Sequence, residues 1–168
     1  KNCSGLYFDN VLLTNIQSRG VLAKTTNVTI KHSTFRNLTL QAIVLGPEQE
    51  WSESTISRDV VIEHCLFDNC AKTNEYAKQS QSGYDSEPNL TPIDIRGVGL
   101  TSEDEISKIE PQPNMIASNF VIRHNKFINT PNEHLICATA ATHITITENV
   151  FEERAGDGKV LYVNACMN

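Results

Sequence analysis

Four stretches of the chain repeat one another, and this repeat limits the possible folds more than any other feature. Residues 27–37 read NVTIKHSTFRN, 59–69 read DVVIEHCLFDN, 119–129 read NFVIRHNKFIN and 143–153 read HITITENVFEE. The shared frame is an apolar residue, any residue, Ile, four residues and Phe, followed by a polar corner. Ile30, Ile62, Ile122 and Ile146 fall on one position; Phe35, Phe67, Phe127 and Phe151 fall on another. A degenerate earlier copy runs over 11–16. Each copy is followed by a second short apolar run, at 21–23, 42–45, 93–95, 135–138 and 160–163. Uneven spacing between copies locates insertions at 46–58, 71–91 and 97–118.

The frame dictates short strands. Val28 and Ile30 alternate, so both point to one face. Three-residue strands separated by polar corners are too short for an ordinary hairpin sheet. They suit the coils of a solenoid, in which each strand pairs with its equivalent one coil later. The aligned Ile and Phe then stack as columns inside the tube. Asn at the corners tolerates left-handed backbone geometry and can bond along the stack. No segment sustains the 3.6-residue apolar stripe of a helix for three turns. The expectation is therefore an all-β, parallel β-helix of about five coils, one domain over 1–168.

Composition agrees and narrows the partners. A length of 168 residues favours one domain and buries a core without staples. The net charge of −6 argues against nucleic acid as the main partner. No apolar run is long enough to span a membrane. Five cysteines without a C-x-x-C pair read as reduced, mostly buried small hydrophobes. The chain opens on Lys-Asn-Cys-Ser-Gly, without an initiator Met, and reads as a mature or excised piece. No amphipathic cap helix is visible at either end. The expected alternatives are continuation into a longer solenoid or ends covered by another chain, including end-to-end self-association.

Alternation assigns the faces of the second strand in each coil. Ile43, Leu45, Ile93, Ile95, Ile136, Ala138, Leu161 and Val163 point inward. The outward column then reads Leu22, Val44, Asp94, Cys137, Tyr162, with Arg96 following Asp94 on the same face. Long loops in a compact solenoid tend to carry function. The first insertion holds Glu48, Glu50, Glu53 and the only tryptophan, Trp51. The second holds Tyr76, Tyr84, Asp85 and Glu87. Carboxylates, aromatic rings and Arg96 around one patch suit a carbohydrate, whose CH faces stack on rings and whose hydroxyls bond to charges. A carboxylate pair is also the minimum machinery for glycoside cleavage.

The V-x-I-x-x-x-x-F frame resembles the right-handed parallel β-helix of the pectin-lyase-like superfamily. That resemblance implies a substrate groove on the outer face of the sheet that carries Asp94. Residues 20–70, and Trp51-Ser52-Glu53-Ser54 above all, look like glycoside hydrolase family 110. Members of that family are β-helix enzymes that remove terminal α-1,3-linked galactose with inversion. The resemblance carries Trp51 and Glu53 into the site; Asp94 comes from the geometry alone. The acidic pair is expected to be Asp94 and Glu53, with Glu48 or Glu50 as substitute. Trp51 is expected to be the sugar platform and Arg96 a hydroxyl clamp, with Tyr84 and Glu50 also on the substrate. No cofactor or metal is implied. The partner is an oligosaccharide or polysaccharide, in a secreted, periplasmic or cell-surface setting.

Plainer readings stand beside these. Asp94 and Arg96 also read as an exposed ion pair worth under about 1 kcal/mol. His32, His64 and His124 share one position, and stacked corner rings are favoured over a metal site. Cys65 shares a column with Ser33, Asn125 and Asn149 and reads as a corner residue, not a nucleophile. The functional rivals are a non-catalytic glycan-binding or structural solenoid and, third, a uronate lyase or epimerase.

Overall fold

The computed structural model describes residues 5–47, 56–72, 90–97, 117–130, 134–152, 160–164 and 166. These residues form fifteen strands, and no helix occurs among them. The strands fall into three all-parallel sheets of five. Sheet 1 stacks β1 (Leu6–Asp9), β4 (Thr26–Lys31), β7 (Arg58–Glu63), β10 (Ala117–Arg123) and β13 (Ala141–Thr147). Sheet 2 stacks β2 (Leu12–Ile16), β5 (Thr34–Leu38), β8 (Leu66–Asp68), β11 (Lys126–Ile128) and β14 (Val150–Phe151). Sheet 3 stacks β3 (Val21–Ala23), β6 (Ile43–Leu45), β9 (Ile93–Arg96), β12 (Ile136–Thr139) and β15 (Leu161–Asn164). The chain visits the three sheets in turn five times, which is a parallel β-helix of five coils.

The repeat frame is the register. Ile30 pairs with Ile62, Ile62 with Ile122 and Ile122 with Ile146, with Phe8 heading the column. Phe35, Phe67, Phe127 and Phe151 stack with ring centroids 5.1, 4.7 and 5.2 Å apart. These columns and the inward residues of sheet 3 form one buried core. The degenerate first copy is longer than the 11–16 expected from sequence. Its sheet 1 strand is Leu6-Tyr7-Phe8-Asp9, with Leu6 and Phe8 on the positions of Val28 and Ile30. Phe in place of Ile, and Leu13 in place of Phe, hid the frame.

The corners hold the polar columns. Asn10, His32, His64, His124 and Glu148 turn the chain from sheet 1 to sheet 2, all with φ between 47° and 58°. Asn15, Asn37, Asn69 and Asn129 bend it again at the end of the sheet 2 strands, with φ between 52° and 57°. This left-handed backbone costs most residues about 1–2 kcal/mol, and Asn meets it with local hydrogen bonds. Here the bonds run along the stack: Asn69 donates to Asn37 at 2.9 Å and Asn37 to Asn15 at 3.0 Å. A second Asn pair lies inside the tube. Asn125 accepts from the Cys65 N–H and donates to the Ile62 carbonyl, both at 2.9 Å. Asn149 repeats this one coil on, accepting from the Asn125 N–H and donating to the Ile122 carbonyl. Backbone groups that a short strand leaves buried are satisfied in this way.

Candidate functional site

Sheets 1 and 2 are joined by two-residue turns in every coil. The three long insertions lie elsewhere. One follows β6, one precedes β9 and one follows β9, so each begins or ends on a sheet 3 strand. Sheet 3 also differs in burial. In β4 and β7 buried and partly exposed residues alternate, whereas β6, β9 and β12 are buried at every position.

The outward column of sheet 3 runs as the alternation requires: Leu22 pairs with Val44, Val44 with Asp94, Asp94 with Cys137 and Cys137 with Tyr162. Its middle members Val44, Asp94 and Cys137 are at most 1% exposed, yet they lie outside the central core. The expected open groove is therefore a covered face at these positions. Asp94 and Arg96 are not an exposed surface pair. Arg96 places both Nε and Nη2 at 2.6 Å from Asp94 Oδ2, and the aspartate side chain has no exposure. Charge-assisted bonds of this length in a dry setting are strong. Two of the three guanidinium nitrogens thus face Asp94.

Two neighbours complete a buried polar square that sequence reasoning did not single out. Cys137 is in register with Asp94, and Thr139 with Arg96. The Cys137 thiol and the Thr139 hydroxyl lie 3.9 Å apart. The outward column already set Cys137 beside Asp94, and Thr139 follows it by the same alternation. Backbone packing fixes the end of the strands. Gly46 has φ 135°, and a Cβ there would collide with the Arg96 backbone; a Cβ on Gly97 would collide with the Ala140 carbonyl.

Of the other expected site residues, Glu48, Glu50, Trp51, Glu53 and Tyr84 lie outside the described residues. The structure therefore places Asp94 and Arg96 together and leaves the rest of the acidic and aromatic set to the insertions.

The histidines stack. His32 and His64 have centroids 5.4 Å apart, His64 and His124 4.9 Å. Carboxylates close the column: Asp9 lies 2.9 Å from His32 Nδ1 and Glu148 lies 3.0 Å from His124 Nε2. The rings lie face to face and do not converge on a point between them.

The cysteines Cys65, Cys70 and Cys137 are free and buried. Burial pushes the Cys65 thiol up to about 11 and the Cys70 thiol up to about 12. Burial, and then the negative charge of Asp94, raises Cys137 as well. Thiols held this far above neutrality supply almost no thiolate. In the native protein at pH 8, these three should resist iodoacetamide and react only on unfolding, read by intact mass and peptide mapping. Rapid native alkylation of any of them would contradict their burial.

The described residues thus define a parallel β-helix with one differentiated sheet. Compared with known families, curated proteins and solved structures, the chain matches none.

Proposed function

We propose that the protein is a carbohydrate-binding β-helix that works through the insertions joined to sheet 3. The observation that carries this reading is the placement of the insertions. All three long segments enter or leave sheet 3, while the turns between sheets 1 and 2 hold two residues each. In sequence, the first two contain Trp51, Tyr84 and the acids Glu48, Glu50 and Glu53. Aromatic rings and carboxylates are the groups that grip a neutral sugar. The net charge of −6 makes an anionic polymer a poor fit. Such a protein belongs to a secreted, periplasmic or cell-surface setting.

A hydrolytic role is the second reading, and the likeness of residues 51–54 to glycoside hydrolase family 110 favours it. It uses Asp94 and Glu53 as the carboxylate pair, with Glu48 as substitute, on a terminal α-galactoside-type bond. Asp94 is fully buried against Arg96, and this places binding ahead of cleavage. One experiment separates the readings. The chain is incubated with α- and β-linked oligosaccharides, including α-1,3-galactosides, while binding and released monosaccharide are both followed. Binding without release, weakened at least tenfold by Trp51→Ala, supports the first reading. Release that Asp94→Asn abolishes supports the second. Neither binding nor release sinks both.

A further inference from the structure

One corner of the tube carries a line of ionisable side chains that the reading of sheet 3 leaves unused. His32, His64 and His124 follow the sheet 1 strands of coils 2, 3 and 4, and all three are exposed. The backbone fixes their spacing. The His32 N–H donates to the Glu63 carbonyl at 3.2 Å, and those of His64 and His124 to the Arg123 and Thr147 carbonyls at 3.3 Å. The ring planes lie within 17° of parallel, so the rings cover one another's faces and turn their edges outward. No further ring fits between them. What the ridge offers a ligand is therefore a row of edge N–H groups.

The charged groups around the column nearly balance. Lys31 and His32 face Asp9, Arg123 holds Glu63, His124 meets Glu148, and Lys126 on sheet 2 holds Glu152. With neutral imidazoles, three cations stand against four carboxylates. His64 lies between two rings and, among the described residues, forms no ion pair. Histidine as a residue type gains its charge as pH falls from about 8 to about 5. Three such gains turn the ridge from one net negative charge to two net positive charges. The whole chain moves from −6 toward −1 as its five histidines charge, so it no longer opposes a polyanion strongly. The new charges recur once per coil, about 4.8 Å apart along the axis. That is the scale of one sugar ring in an extended chain. Edge N–H donors suit carboxylate or sulfate oxygens. With the ring faces covered, nucleic-acid bases find no platform to stack on.

We propose that this corner binds an acidic polysaccharide laid along the tube axis in mildly acidic solution. Binding and protonation favour each other, so the polymer draws protons onto the column as it docks. The site is separate from the sugar site at the insertions and stands or falls without it.

Dextran sulfate is the test probe, because its sulfates keep their charge across the range; neutral dextran is the control. Titration calorimetry compares about pH 5.5 with about pH 7.5 at one ionic strength. Binding should be at least about tenfold tighter at the lower pH, with proton uptake read as a buffer-dependent heat. His32→Asn/His64→Asn/His124→Asn should reduce that gain to under about twofold. Asn10 already occupies the same corner with φ 58°, so the variant should keep the turn and the wild-type circular dichroism spectrum. If it loses the spectrum, His64→Asn alone replaces it and should cut the gain at least about threefold. His143→Asn, at an exposed position away from the ridge, should leave the gain intact. No binding of dextran sulfate at the lower pH overturns the proposal, as does a gain that the ridge variants leave unchanged. A gain lost equally in His143→Asn assigns it to overall charge and overturns the ridge. Tighter binding of a single-stranded oligodeoxynucleotide of equal charge overturns the polysaccharide as occupant.

Discussion

Replacing Arg96 with Ala should lower the stability of the β-helix by about 3–5 kcal/mol, read as a fall in the urea midpoint at pH 7. The guanidinium carries two contacts of 2.6 Å to a carboxylate with no exposure. Removing it leaves that charge buried between Val44 and Cys137, the in-register residues of the flanking coils. The cost is that of a buried carboxylate that has lost its guanidinium, not of the pair itself. Asp94→Val/Arg96→Leu should therefore recover most of the loss, since Val44 already occupies the matching position one coil earlier. A drop below about 1 kcal/mol for Arg96→Ala would mean that water reaches the pair. It would return Asp94 to the status of an ordinary surface carboxylate.

The second large effect belongs to the phenylalanine column. Phe67 is fully buried and stacks on both faces, 5.1 Å from Phe35 and 4.7 Å from Phe127. Phe67→Ala should cost about 3–5 kcal/mol, from lost transfer energy and a cavity that two rigid rings cannot refill. Phe151 has one such neighbour, at 5.2 Å, and is only partly buried. Phe151→Ala should cost about half as much. Equal losses in parallel denaturation curves would show that the core does not behave as a column.

The fold was legible because solenoid packing forces its register into the sequence. An Ile that stacks on the next coil's Ile must recur on the same frame, and Ile30, Ile62, Ile122 and Ile146 do. The first coil escaped where that pressure relaxes: at an end, Phe8 and Leu13 fill the same places with other shapes. The outward order Val44, Asp94, Cys137 followed from alternation alone. Its burial did not, because alternation reports which side of a sheet a residue faces and nothing about what lies over that side. The same gap turned an expected surface pair, Asp94 and Arg96, into a buried one. The acids and the tryptophan of the insertions sit on segments with no repeat to anchor them, so periodicity places none of their side chains.

The unequal insertions also set the order in which the molecule can assemble. On sheets 1 and 2, coils 1 and 2 are linked by pairs 22 residues apart, coils 2 and 3 by pairs 32 apart, and coils 4 and 5 by pairs 24 apart. There, coils 3 and 4 are linked by pairs 60 apart. Closing that loop costs about 0.9 kcal/mol more entropy than closing the shortest one. Coil pairs should thus form early on either side of the long insertions and dock last across β7 and β10. Time-resolved hydrogen exchange would find the late seam in the middle of sheet 1, between Val61 and Val121, and not at either end of the tube.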